Sequence, residues 1–180
     1  MNWDEYFITM AIMVAQKSKD PSTKVGCVIV DEDNVVLSIG FNGFPRGVIE
    51  IEGHWCDTLY KFDRWERPQK YSWVEHAERN ACYNAARKGI QLRGARAYLN
   101  WDPSPCEACS RAFIQSGIIE VIGPDVTFAG IGKGVHYDLN YAGVMFKEAG
   151  VLRTTIPWPW IIPGDRPVAA INTNYIPCVV

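Results

Sequence analysis

Apolar side chains recur at Tyr6, Phe7, Met10, Ile12, Met13 and Val14, which predicts a helix over Trp3–Lys19 that ends at Asp20-Pro21-Ser22. The period then changes. Val25–Val30 is a short β-branched run, Asp31–Asn34 has turn composition, and Val35–Phe41 supplies a second run, so a hairpin is predicted. Asn42-Gly43-Phe44-Pro45-Arg46-Gly47 is punctuated by glycine and proline and reads as a loop. Over 48–75 the pattern dissolves into charged and aromatic residues, Trp55, Trp65 and Trp73 among them. This predicts a long excursion from the domain rather than a regular element, and long loops in compact domains are more often functional than idle.

From His76 onward helix and strand patterns alternate. His76–Lys88 is a predicted helix stopped by Gly89, Ala95–Trp101 a strand, and Glu107–Ser116 a helix stopped by Gly117. Ile118–Ile122 is the next strand, Tyr137–Ala149 a helix stopped by Gly150, and Val151–Thr155 a last strand. Helix, hairpin, then alternating helix and strand describes an α/β protein. The expected architecture is a three-layer α/β/α sandwich around a mixed central sheet of about five strands. Residues 1–155 are expected to form this domain. Residues 156–180 form a tail whose Pro157, Pro159, Pro163, Pro167 and Pro177, with Trp158 and Trp160, leave little scope for regular structure.

Composition narrows the functional classes. A length of 180 residues suits one domain, and 48% hydrophobic with 21% charged residues is ordinary for a globular protein. The net charge of -2 and the lack of a Lys/Arg run count against a non-specific nucleic-acid interface, though not against a small basic pocket for one phosphate. No apolar run reaches the roughly 18 residues of a membrane span, and the acidic start Met1-Asn2-Trp3-Asp4-Glu5 lacks the features of a signal peptide. A cytoplasmic protein is therefore expected. There its cysteines act as thiols or metal ligands rather than disulfides.

One cysteine pair has metal-ligand spacing, Cys106-Glu107-Ala108-Cys109, and it opens a predicted helix. His76-Ala77-Glu78 opens another. Helix N-termini carry unpaired N–H groups and partial positive charge, which favours thiolate at a cysteine there. His76, Cys106 and Cys109 thus make three candidate zinc ligands. Structural zinc normally has four protein ligands, whereas catalytic zinc keeps one position open. Glu78 stands two residues from His76 and is the candidate proton carrier for hydrolysis. H-x-E followed by P-C-x-x-C is the general signature of zinc deaminases of cytosine and adenine, so the chemistry is matched to a known pattern. A structural zinc knuckle would leave Glu78 and the missing fourth ligand unexplained.

Five segments together resemble the deoxycytidylate (dCMP) deaminases, within the cytidine deaminase superfamily: Glu5-Tyr6-Phe7, Ser18–Gly26, Gly40–Gly47, His76–Ala81 and Pro105–Cys109. The resemblance spans roughly Trp3–Gly150. It implies hydrolysis of dCMP to dUMP and ammonia with one catalytic zinc. It also implies that Asn42 binds the sugar and that the Ala77 backbone holds the pyrimidine edge, with Arg46 and Lys24 as candidates for the phosphate. The stretch from Tyr98 to Pro105 looks about two residues longer than in the family. Trp101 and Ser104, at the ends of that added loop, become candidate substrate contacts, and a 5-substituted dCMP becomes a candidate substrate. His54, Cys56 and Cys27 have no clean four-ligand spacing, so a second, structural zinc is not expected. Family members are often hexamers regulated by dCTP and dTTP, which makes both properties expectations for this chain. Two other readings stay open: a deaminase of another nucleoside, base or tRNA adenosine, and a non-catalytic zinc-binding interaction module.

Overall fold

The computed structural model describes residues 1–49, 64–125 and 139–157, with the side chains of Leu139 and Asn140 outside that description. Helix α1 (Trp3–Ala15) starts in a capping box, in which Asn2 Oδ1 accepts from Glu5 N and Glu5 Oε2 accepts from Asn2 N. It ends four residues earlier than apolar spacing predicts. The chain there tightens into turns, and Ser18 Oγ donates to the Asn42 carbonyl at 2.8 Å, so tertiary contact overrides local helix preference. Strands β1 (Gly26–Val30) and β2 (Val36–Phe41) form the expected antiparallel hairpin. A short helix, α2 (Lys70–Trp73), lies within the predicted irregular excursion. The rest of the alternation holds: α3 (Ala77–Lys88), β3 (Arg96–Leu99), α4 (Glu107–Ser116), β4 (Glu120–Pro124), α5 (Leu139–Ala149) and β5 (Leu152–Ile156).

The sheet is mixed and five-stranded, in the order β2-β1-β3-β4-β5. β1 is antiparallel to both β2 and β3, while β3, β4 and β5 run parallel. Alternation along β1 divides the core. Val28 and Val30 pack with Phe7, Ile8, Ala11 and Tyr98 under α1. Cys27 and Ile29 pack on the opposite face with Ala77, Ala81, Phe113 and Phe146, from α3, α4 and α5. These are the three expected layers.

One sheet edge collects the loops that matter. Gly26 pairs with Phe41 and Cys27 with Leu99, so the start of β1 and the ends of β2 and β3 lie together, and the parallel β4 ends on the same side. Ligands of open α/β sheets bind in the crevice outside such strand ends. Helix α3 is drawn tightly onto β2 beside this edge. A Cβ on Gly40 would stand 2.3 Å from both Ala77 O and Ala81 N. Three side chains add hydrogen bonds: Ser38 Oγ to Ala81 O, Asn80 Nδ2 to Phe41 O, and Asn84 Nδ2 to Ile39 O.

Gly40→Ala should therefore lift the N-terminal turn of α3 off the sheet. Overpacking of this kind costs typically about 1–3 kcal/mol, and backbone on both sides puts this site at the upper end. A thermal melt should show Tm lower by roughly 5–10 °C, with weaker zinc retention. An unchanged Tm would contradict the packing described.

Candidate metal centre and active site

His76 is the N-cap of α3, Cys106 is the N-cap of α4, and Cys109 lies one turn into α4. Neither N-cap side chain makes a capping hydrogen bond, which leaves both turned to other work. His76 Nδ1, Cys106 Sγ and Cys109 Sγ form a triangle with every side 3.5 Å. Ordinary zinc bond lengths in a tetrahedron put nitrogen and sulfur about 3.6 Å apart and two sulfurs about 3.8 Å apart. The donor triangle already fits one zinc ion to within a few tenths of an ångström. Among the described residues these three are the group of His, Cys, Asp or Glu placed to hold a metal. Three donors leave a tetrahedral ion with one position for water.

The electrostatics agree with the geometry. Cys106 is lowered to about 3 by its contact with Cys109, with the His76 ring acting in the same direction. Cys109 is raised by that same contact and by burial, so the pair holds its charge on Cys106 and its proton on Cys109. His76 is raised chiefly by its contact with the Cys106 sulfur. Loss of the Cys109 and His76 protons is what loading an ion requires. Glu78, in the first turn of α3, is buried, and burial raises its carboxyl above the usual range while His76 opposes the shift. A carboxyl moved toward neutral pH suits a group that both takes and returns a proton.

With this geometry established, similarity to known proteins decides the family. Residues 1–123 match the cytidine and deoxycytidylate deaminase zinc-binding region. The chain belongs to this family. It is a zinc-dependent deaminase, and so a hydrolase. It is 38% identical to a probable deoxycytidylate deaminase of Drosophila melanogaster, over 97% of this chain and 86% of that one. A human deoxycytidylate deaminase is 35% identical over 82% and 80% of the two chains. The crystal structure of a cyanophage S-TIM5 dCMP deaminase, in complex with dCMP and dUMP, superposes with a TM-score of 0.61. It covers 84% of this chain and 95% of its own at 22% identity, which establishes shared fold.

The remaining candidates distribute around the same sheet edge. Ala77 is fully buried at the first position of α3. Trp101 is half-buried just beyond β3, and its carbonyl lies where a Cβ on Gly123 would come within 2.1 Å, so β4 tucks directly beneath the β3–α4 loop. Ser104 Oγ accepts from Arg153 Nη1 at 3.1 Å, tying that loop to β5. Arg46 is exposed and donates to Asn84 Oδ1 of α3. Lys24 is half-buried, with its carbonyl accepting from Asn100 Nδ2 at 3.2 Å. Asn42 is buried and its amide is engaged: Nδ2 donates to Asp20 Oδ2 and the Thr23 carbonyl, and Oδ1 accepts from Val25 N. Cys27 is buried in the core, while His54 and Cys56 lie outside the described residues.

Two positioning features were not visible in the sequence. Glu75 exchanges both backbone hydrogen bonds with Gly43, and its Oε1 accepts from His76 N at 2.9 Å and pairs with Arg79. This seats the main chain as it enters the histidine ligand. The second is a buried ion pair between Asp20 and Lys70 at 2.6 Å. An acidic residue after a helix and a lysine amid aromatics carry no signal of such pairing, because the contact is made only once the excursion folds back.

Replacing Cys106 or Cys109 by Ala should leave a folded chain that loses its zinc on dialysis against a weak chelator, measured by metal analysis. Full zinc retention in either variant would remove that sulfur from the ligand set.

Proposed function

We propose that this protein converts dCMP to dUMP with release of ammonia, using Glu78 as its proton carrier at a zinc held by His76, Cys106 and Cys109. The observation that carries the proposal is the three-donor triangle with a buried, raised-pKa glutamate beside it, in a chain 38% identical to a probable deoxycytidylate deaminase. When bound, zinc would supply Lewis acidity that brings the pKa of a water down toward about 7. Everything else falls to the chain. The Glu78 carboxylate accepts a proton from the attacking water as its oxygen bonds to C4 of the cytosine. The same carboxyl delivers that proton to ring N3, then takes the second proton from the new C4 hydroxyl and gives it to the exocyclic nitrogen; the C–N bond breaks, and ammonia leaves a C4 carbonyl. Water and dCMP thus yield dUMP and ammonia with no other reactant.

Substrate positioning extends the proposal to the Ala77 backbone at the pyrimidine edge, Asn42 at the sugar, and Arg46 and Lys24 at the phosphate. An exposed arginine in a glycine-rich loop can grip a phosphate through two parallel donors, and Arg46 would exchange its Asn84 contact for that one. The loop from Trp101 to Ser104 walls the base, with Trp101 available for stacking and the loop's span governing tolerance of a 5-substituent. The resemblance further supports a homo-oligomer, with the hexamer as its proposed size, a response to dCTP and dTTP, and a cytoplasmic location. Among the described residues no helix is long and apolar enough to cross a membrane. Residues 1–155 are proposed as the catalytic domain, with most of the 156–180 tail outside the described residues.

Ammonia release from purified, zinc-loaded protein should be readily measured with dCMP, against a panel of 5-methyl-dCMP, 5-hydroxymethyl-dCMP, CMP, deoxycytidine and guanine. Turnover of none of the pyrimidine monophosphates would refute the assignment. Glu78→Gln should retain zinc while losing about 10²–10⁴-fold in kcat. Because burial raises Glu78, and its protonated form cannot accept from water, kcat/KM should fall as pH drops through a limb above the usual glutamate value of about 4.3. A limb at or below that value would argue against Glu78 as the base.

A further inference from the structure

Asp20 is fully buried, and its two oxygens are saturated from several directions. Oδ1 accepts from Ser22 N, Ser22 Oγ and Thr23 N, at 2.8, 2.9 and 3.0 Å. Oδ2 accepts from Asn42 Nδ2 at 3.0 Å and meets Lys70 Nζ at 2.6 Å. Lys70 is nearly as buried, and its ammonium also donates to Ser22 Oγ at 2.6 Å. Two charges taken out of water at this depth are a costly way to hold a fold, and a hydrophobic pair of similar volume usually serves stability at least as well. The arrangement therefore calls for a reason other than stability.

The reason lies in what the pair does to Asn42. An asparagine amide has two donor hydrogens and two acceptor lone pairs, and it can present either end by flipping. Here both hydrogens are taken, by Asp20 Oδ2 and by the Thr23 carbonyl at 2.8 Å. Oδ1 takes one bond, from Val25 N at 2.8 Å. Flipping the amide would aim a donor at the Val25 N–H and an acceptor at a carboxylate, so the orientation is fixed. With both of its oxygens accepting and Lys70 against Oδ2, Asp20 meets Asn42 as an acceptor, and this locks the amide. Among the described residues, one valence is left on Asn42, a lone pair on Oδ1. In dCMP the ionised phosphate offers no donor and the exocyclic amine belongs to the reacting centre. The sugar 3′-hydroxyl is the donor that remains.

We infer that the buried Lys70–Asp20 pair is a positioning device for the deamination, locking the Asn42 amide so that it presents a single acceptor to the sugar hydroxyl of the substrate. The inference rests on the reading of this chain as a dCMP deaminase whose Asn42 meets the sugar. Neither Lys70 nor Asp20 touches the substrate. They act through Asn42, and the signature of that role is hydroxyl selectivity rather than bulk activity.

The test compares kcat/KM for dCMP and for 2′,3′-dideoxy-CMP in the zinc-loaded full chain, with Tm and zinc content measured alongside. Wild type should favour dCMP by about 10-fold, the worth of one such hydrogen bond. Lys70→Met leaves Asp20 buried without its cation and should lower Tm by roughly 10 °C. The double variant Asp20→Asn with Lys70→Met removes both charges and should recover most of that Tm with full zinc. The amide it introduces at position 20 can turn a donor toward Asn42 Nδ2, so the lock is gone. The double variant should therefore favour dCMP by about 2-fold or less, seen mainly as a raised KM for dCMP. If it regains both Tm and selectivity, the pair is only structural and the inference fails. If wild type turns over dCMP yet shows no preference for the 3′-hydroxyl, the sugar reading of Asn42 is wrong and the inference falls with it. If wild type does not act on dCMP, the functional reading itself fails.

Discussion

Three donor atoms meeting at 3.5 Å from the ends of two helices are the constraint on which the rest of this molecule turns. The donors of α3 and α4 are 30 and more residues apart in sequence, so their separation is set by how the two helices sit on the sheet. The closeness of α3 to β2 is set by the absence of a side chain at Gly40. The approach of β4 beneath the β3–α4 loop is set in the same way at Gly123. These are backbone-on-backbone contacts, which do not yield as side chains do. A site that must hold geometry to a few tenths of an ångström benefits from that stiffness.

Electrostatics then gives the geometry its chemistry. The two sulfurs crowd each other at a helix N-terminus where negative charge is favoured, and Cys106 carries that charge. Glu78 is buried in the first turn of α3, where desolvation disfavours its charged form. One region of low dielectric thus holds an ion site that demands negative ligands and a carboxyl that resists being negative. The environment pushes these groups in opposite directions, a division that suits one to holding a metal and the other to moving a proton.

Local signals made much of this readable from the chain. Glu107–Ser116 folds as predicted to the residue, and the stops at Gly89 and Gly117 take the left-handed conformation that their positions require. His76, Cys106 and Cys109 could be named because ligand chemistry restricts residue type and because C-x-x-C places two sulfurs on one turn. Strand order was not legible, since β1 lies between β2 and β3 through contacts no local pattern encodes. The early end of α1 and the presence of α2 were missed for a related reason. Ser18 is drawn to the end of β2, and Lys70 is drawn to Asp20, far away in sequence. Asn42 was singled out as a contact residue, but the network that consumes most of its hydrogen-bonding capacity emerged only in three dimensions.

None of this chemistry can proceed unless the metal centre is open. X-ray absorption at the zinc edge of the purified protein reads that directly. An open site gives two sulfur scatterers at about 2.3 Å and two lighter nitrogen or oxygen scatterers at about 2.0 Å, one from His76 and one from water. A shell of three or four sulfurs, or a second histidine in place of the water, would mean a closed structural site and would contradict the catalytic reading.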